Sequence, residues 1–292
     1  MVAARLLGIG FSLTLHGSDL LRNNAYVDTK LKACRFCVTI SDYNRNYILQ
    51  HFPTIDPAKI IVSRLGVEVP ASVEFVRRSR ACRALKLLAV GRLHDVKDHA
   101  FLVRACAQLR DDGCAFECEI AGEGPEREHL ELLIGESRLQ SYVRLLGHVA
   151  REQINSLYQH ADVVVLTSRS EGIPLVLMEA MAHGKIVLAP AITGIPELVI
   201  AGKDGYLYAP GMLRDFVAKL LLIEELVREE DPNAVSRLDW VRHAARIQVC
   251  HNFRRDKNLT RFADQFLQIV TTGQFAIQNR RSNHEDLVLQ QI

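Results

Sequence analysis

The sequence lacks an excess of charge of either sign. Over 292 residues, 36 Lys and Arg stand against 34 Asp and Glu, a formal net charge of +2. Such a chain has no bulk field with which to hold a polyanion, so nucleic-acid binding by general electrostatics is excluded. It also lacks an apolar run that could cross a bilayer. The stretch Leu6 to Leu15 after Arg5 falls well short of the roughly 20 residues a spanning helix needs. His16-Gly17-Ser18-Asp19 follows it where a signal peptide needs a small-residue cleavage site, so the run is expected as a buried strand. The seven cysteines are odd in number and without framework spacing, which points to a reducing, cytoplasmic compartment. Cys34-x-x-Cys37 has no second pair at matching distance and reads as structural, not as zinc or redox chemistry. A dinucleotide fingerprint is missing too: Gly122-Glu123-Gly124-Pro125 begins like one and fails at the third glycine. There is no internal repeat and no low-complexity segment.

What remains is an ordinary globular composition, 48% hydrophobic and 24% charged, with length for about two domains. From residue 85 the chain alternates short apolar runs with helix-period segments. The runs are Leu85–Val90, Phe116–Ala121, Val143–Leu146, Val163–Thr167, Ile186–Ala189 and Gly205–Tyr208. Between them lie amphipathic stretches such as His99–Arg110, Glu126–Gly135 and Glu152–His160. Runs apolar on both faces suit parallel strands, and a β-α-β-α series builds a doubly wound, Rossmann-like sheet. Residues 1–70 show the same grammar in shortened form. Strands are expected at Phe11–Leu15, Cys37–Ile40 and Lys59–Leu65, with helices from about Arg22 to Ala33 and from Ser41 or Asp42 to Phe52. That is less than a self-sufficient α/β domain usually takes, and its first half is expected to be absent. Residues 71–84 read as a linker whose Arg77, Arg78, Arg80 and Arg83 form a solvated face or touch anionic lipid. The organisation expected is thus 1–70, the linker 71–84, a second domain at 85–250, a helix at 251–270 packing back on the first part, and a tail at 271–292.

The segment richest in chemistry is Ser168-Arg169-Ser170-Glu171-Gly172-Ile173-Pro174, running on through Leu175 to Ala182. It follows a buried strand, and in open α/β sheets ligands bind in the loops at the carboxyl ends of strands. Glu179 lies eight residues after Glu171 in an otherwise apolar helix. A carboxylate there is costly unless it is paired or faces a cleft. The two glutamates could hold different hydroxyls of one elongated ligand, with helix-terminal N–H groups near its phosphates; read alone, they could equally be surface charges. Arg92 and Lys97 flank a strand end and a helix start, a setting that favours anions, with a fork and a mobile point charge for phosphate oxygens. The acidic pairs Asp111-Asp112 and Glu229-Glu230 are most simply solvated.

With the flanking Ser-x-x-Glu-Gly and the later Thr193-Gly194-Ile195-Pro196-Glu197-Leu198-Val199, this pattern resembles the retaining glycosyltransferases of family 4. Glu171 and Glu179 stand as that family's E-x7-E pair. Val90-Gly91-Arg92-Leu93 with Lys97, Ala121-Gly122-Glu123-Gly124-Pro125, Leu146-Gly147-His148-Val149 and Leu157-Tyr158-x-x-Ala161-Asp162 match in order, over about residues 11–270.

The resemblance implies an α/β, GT-B type fold, with two Rossmann-like doubly wound parallel-sheet domains facing across a cleft, the N-terminal one incomplete here. It implies a hexose moved from a nucleotide-diphosphate sugar to a glycan or lipid-linked acceptor with retention, commonly in bacterial cell-surface polysaccharide synthesis. Arg92 and Lys97 would hold the diphosphate, Glu171 the donor sugar and Glu179 the ribose hydroxyls. The backbone of Gly172, Ile173 and Pro174 would line the sugar pocket, with Ile173-Pro174 where many relatives have Phe-Gly. His16, in Thr14-x-His16-Gly17-x-Asp19, would reach the transferred sugar from the N-terminal side. No cofactor and no metal is implied: Asp-x-Asp, with which other transferases hold a divalent ion, is absent. The expected location is cytoplasmic, with peripheral membrane contact open. An incomplete or non-catalytic nucleotide-sugar-binding module, completed by another subunit, stands as the alternative. A nucleotide-sugar epimerase fits the motif order poorly.

Overall fold

Short runs, most of them apolar without alternation, form the strands of two parallel sheets. The computed structural model describes residues 1–21, 25–73, 84–228 and 232–272. The first sheet contains β1 (Ser12–Leu15), β2 (Phe36–Thr39) and β3 (Ile60–Val62), in that order and all parallel. The second contains β4 (Leu85–Val90), β5 (Phe116–Ala121), β6 (Val143–Gly147), β7 (Val163–Val165), β8 (Ile186–Pro190) and β9 (Tyr206–Tyr208). Its spatial order is β6-β5-β4-β7-β8-β9, again all parallel. That order reverses direction between β4 and β7, and a crevice opens at the carboxyl ends of strands where such a reversal occurs.

The helices cover both faces of each sheet. One face of the second sheet packs on α5 (His99–Asp111), α6 (Arg127–Glu136) and α10 (Leu213–Arg228). Phe101, Tyr208 and Phe216 meet there, with Phe101 and Phe216 edge-on at 5.4 Å between ring centroids. The other face packs on α7 (Arg151–His160), α8 (Leu175–Ala182), α9 (Ile195–Leu198) and α11 (Pro232–Asn252). The first sheet carries α3 (Val27–Ala33) and α4 (Asp42–His51) on one side. On its other side α12 (Arg255–Thr272) sets Phe262 and Ile269 against Phe36, Val38 and Ile61. Asn258 of α12 donates to the Leu65 carbonyl at 3.0 Å, so the C-terminal helix packs back on the first sheet.

The stretch from Leu6 to Leu15 is not one strand. It begins with helix α1 (Val2–Leu7), which ends at Gly8 in the left-handed region with φ 64°, and the strand starts only at Ser12. Glycine reaches that conformation without steric cost and stops a helix there. Of the helix expected from about Arg22 to Ala33, the structure shows α3, which begins only at Val27 behind Tyr26 at φ 61°; a short helix, α2 (Ser18–Leu21), precedes the expected span. The arginine cluster at 77–83, Glu229-Glu230 and the tail from 273 lie outside the described residues. Among those described, no helix is long and apolar enough to cross a membrane.

Cys34 and Cys37 are both buried. Burial pushes the Cys34 thiol up and the Cys37 thiol up to about 12, so neither offers a thiolate near neutral pH.

Candidate functional site

The carboxyl ends of the two sheets face each other, and the loops that leave them meet. β4 runs into Gly91, Arg92 and Leu93, then a 3-10 turn at Asp95–Lys97 that delivers α5. Two glycines in the β5 loop shape this turn. A Cβ on Gly122 would lie 1.9 Å from the Gly91 carbonyl oxygen, and one on Gly124 would lie 2.2 Å from that of Leu93. Leu93 N–H donates to the Glu123 carbonyl at 2.9 Å, and its own carbonyl accepts from Glu126 at 3.0 Å. The Ala121–Pro125 motif is therefore a backbone brace for the Arg92 loop. Arg92 is exposed on it, and the Lys97 side chain folds over Gly91, about a van der Waals contact away.

Across the reversal point, Thr167 to Pro174 connects β7 to α8. Thr167 Oγ1 donates to the Lys97 carbonyl at 2.9 Å and Arg169 N–H donates to the Val96 carbonyl at 2.8 Å. Arg169 Nε donates to Asp98 at 2.8 Å. These bonds hold the β4 and β7 loops together and bring Lys97 Nζ to 2.5 Å from Glu171 Oε1. Both groups are only partly covered, at 24% and 13% side-chain exposure, so the pair is open to a ligand on one side.

The Glu171 loop is held from the other flank. Thr193 Oγ1 donates to the Glu171 carbonyl at 2.6 Å, and a Cβ on Gly194 would come within 2.7 Å of the Gly172 carbonyl oxygen. Ile173 and Pro174 are buried, Ile173 packing with Leu177 and its neighbours, so only backbone in this segment can face the cleft. Pro174 sits at the N-cap of α8, one position earlier than a first-turn proline. Glu179 lies on α8 and accepts from the Tyr158 hydroxyl at 2.9 Å. Tyr158 is wholly buried, so a carboxylate amid apolar neighbours has a partner, as desolvation demands.

His16 follows β1 and is exposed. Its N–H donates to Asp19 at 3.1 Å, and its carbonyl accepts from the Asn44 side chain. A Cβ on Gly17 would lie 3.4 Å from Gly172 N, and one on Gly172 would lie 3.3 Å from the His16 carbonyl oxygen. The missing side chains let the two loops touch. The structure thus brings His16, Lys97, Glu171 and Gly172 to one place, with Glu179 on α8, about one helical turn in from its start at Leu175.

Two residues of the site escaped sequence reasoning. Tyr158 belongs to a motif noted only for its match to the family. His99, two residues after Lys97, is 6% exposed with both ring nitrogens unpartnered. Burial holds its pKa down to about 4, against smaller opposing effects of the Arg92 and Gly91 backbone; the imidazole is neutral under the turn that carries Arg92. Asp162, in the same motif as Tyr158, joins β7 to β4: it accepts from Lys86 N–H at 2.9 Å and donates its own N–H to the Lys86 carbonyl at 2.9 Å. Among the described residues, no group of three or more His, Cys, Asp or Glu converges as a metal cage would.

Comparison with known proteins bears on the family and the fold. The chain is 34% identical over 205 residues to WcaL of Escherichia coli strain K12, assigned as a colanic acid biosynthesis glycosyltransferase; the match covers 68% of this chain and 48% of that protein. It is 34% identical over 173 residues to the amylovoran biosynthesis glycosyltransferase AmsK of Erwinia amylovora, covering 57% and 42%. The chain thus spans about half the length of these relatives, or less. Among solved structures, HepE of Anabaena in complex with UDP and glucose superposes with a TM-score of 0.73 at 20% identity, over 91% of this chain and 74% of that one. The fold is that of the GT-B glycosyltransferases. The model of the family described as glycosyl transferases group 1 matches residues 78–236, more than half of the chain, and the protein belongs to that family.

Proposed function

We propose that this chain carries the donor site of a retaining hexosyltransferase of family 4, which moves a hexose from a nucleotide-diphosphate sugar to a glycan or lipid-linked acceptor in cell-surface polysaccharide synthesis. The observation that carries this reading is the Lys97–Glu171 pair, at the strand-order reversal and beside the His16 loop. A cation next to an acidic hydroxyl acceptor suits a ligand with phosphate at one end and sugar at the other.

In this reading Arg92 and Lys97 hold the diphosphate, together with the N–H groups that open α8. They neutralise the charge that grows on the nucleoside diphosphate as its bond to the anomeric carbon breaks, so no divalent ion is needed. Glu171 and the Gly172-Ile173-Pro174 backbone hold the sugar. Glu179, fixed by Tyr158, takes the ribose hydroxyls. His16 reaches the sugar from the other sheet, and the acceptor hydroxyl enters on that side and bonds on the face the diphosphate leaves. The work lies on the cytoplasmic side, where nucleotide sugars are made.

Titration of UDP-glucose into the wild type and Glu179→Ala tests the assignment. The variant should bind more than tenfold more weakly; unchanged affinity removes Glu179 from the site. A second reading, a binding module that needs another subunit for transfer, draws on β1, the edge of a three-stranded sheet among the described residues. Donor binding without turnover, restored by an added polypeptide, would select it.

A further inference from the structure

Helix α4 belongs to the first sheet, yet its N-terminus is capped by the second. Of the N–H groups in its first turn, Asp42 donates to Glu197 Oε2 at 3.0 Å and Tyr43 to Glu197 Oε1 at 2.7 Å. Asn44 N–H is taken by its own N-cap, Ser41 Oγ, at 3.1 Å. A helix N-terminus leaves such donors without intrahelical partners, and a carboxylate there is favoured by hydrogen bonds and dipole together. Arg64 completes the clasp, with its guanidinium 3.2 Å from Glu197 and 2.5 Å from Asp42.

The same helix holds the His16 loop. Asn44 is fully buried; its side-chain amide donates to the His16 carbonyl, and its Oδ1 has no partner. A buried amide with an unsatisfied oxygen is a cost that calls for a reason, and its one side-chain bond supplies it. Glu197 in turn lies three residues after Gly194, in the segment that touches Glu171 through Thr193 Oγ1. One short stretch, 193–197, therefore reaches both the Glu171 loop and the helix that anchors His16.

We infer that Glu197 is a positioning residue: by capping α4 across the cleft, it sets His16, through Asn44, opposite Glu171. The roles of His16 and Glu171 rest on the function proposed above; the clasp itself does not.

Glu197→Gln keeps the shape but turns a donor toward one of the two N–H groups. Hydrogen exchange at the Asp42 or Tyr43 amide should then rise about tenfold, the worth of one such cap. With UDP-glucose as probe, hydrolysis to UDP and glucose, water taking the acceptor's place, should fall at least tenfold while the Kd stays within about twofold. Asn44→Leu should give the same loss with α4 exchange unchanged. Unchanged exchange in Glu197→Gln overturns the inference, as does parallel loss of Kd and hydrolysis, which would make Glu197 a donor contact. If the wild type does not bind UDP-glucose, that probe speaks against the functional reading alone. The His16 imidazole resonances then decide: they should shift in Glu197→Gln, and unshifted signals overturn the inference.

Discussion

Lys97 and Glu171 lie 74 residues apart in sequence and meet at 2.5 Å, one on the loop after β4 and the other on the loop after β7. These are the two strands between which the sheet order reverses, so the ion pair bridges the mouth of the crevice. A pair this close and partly covered is stronger than an exposed one, yet a diphosphate arriving between Arg92 and Lys97 offers the ammonium more charge than one carboxylate. In the donor site proposed above, ligand entry would exchange Lys97 from Glu171 to phosphate and free Glu171 for sugar hydroxyls.

Lys97→Met is expected to weaken UDP-glucose binding more than tenfold, read by calorimetry. It also leaves Glu171 without its cation, at a cost of about 1–3 kcal/mol for a partly buried charge. A lowered melting temperature with unchanged affinity would make Lys97 a structural residue.

Tyr158→Phe removes one hydroxyl from a buried ring and keeps the packing. Glu179 loses its 2.9 Å donor and its fixed rotamer. The expected outcome is a donor Kd raised about three- to tenfold, the worth of one hydrogen bond, with little change in unfolding midpoint. A large loss of stability with intact binding would mean the bond serves the fold alone.

Gly172 and Gly194 separate two kinds of close approach. A methyl on Gly172 meets the Cδ1 end of Ile40 at 2.6 Å, a group that can rotate away. A methyl on Gly194 meets backbone, the Gly172 carbonyl oxygen at 2.7 Å, and Ile173 Cγ1 at 2.9 Å. Gly194→Ala should therefore displace the Glu171 loop, destabilise by about 1–3 kcal/mol and cost donor affinity, with Gly172→Ala milder in both. The reverse order in urea titrations would show that the loop yields more easily than Ile40.

Much of this architecture was legible in the sequence because its signals are local. β7 and β8 fall where the uninterrupted apolar runs predict, since a strand covered on both faces has no polar positions. Ser41 or Asp42 is the cap the sequence offers for α4, and the Ser41 hydroxyl fills that place. Glu171 and Lys97 were singled out by strand-end position and resemblance, and the structure pairs them. What escaped is tertiary. Tyr158 reads as one more core residue on a helix face until Glu179 is seen beside it. Asn44 looks like an ordinary helix polar residue and Glu197 like one more member of its motif, because neither partner is near in sequence. At the N-terminus, Gly8 outweighed the apolar run: a residue that stops a helix at φ 64° turns one expected strand into a helix and a strand.

Stability should depend on acid in opposite directions at two buried groups. His99 titrates at about 4 in the folded chain because burial disfavours its charged form, against about 6.5 unfolded. Between those values the unfolded chain binds the extra proton, so His99 makes stability fall as pH falls. Burial likewise lowers His183 to about 4, so it acts in the same direction as His99. Asp204 runs the other way. It is 1% exposed, and burial raises its carboxyl to about 6. Between about 4 and 6 the folded chain therefore binds the extra proton, and stability grows as pH falls. One proton of difference is worth about 1.4 kcal/mol per pH unit. Urea unfolding at intervals between pH 4.5 and 5.5 should show wild-type stability falling in acid with a net slope of about one proton, since His99 and His183 together outweigh Asp204. His99→Leu should tilt that slope by about one proton toward greater stability in acid. Asp204→Asn, which keeps an acceptor for the Ile200 N–H, should tilt it by the same amount the other way. Equal slopes in all three proteins would mean that neither group carries a buried charge penalty.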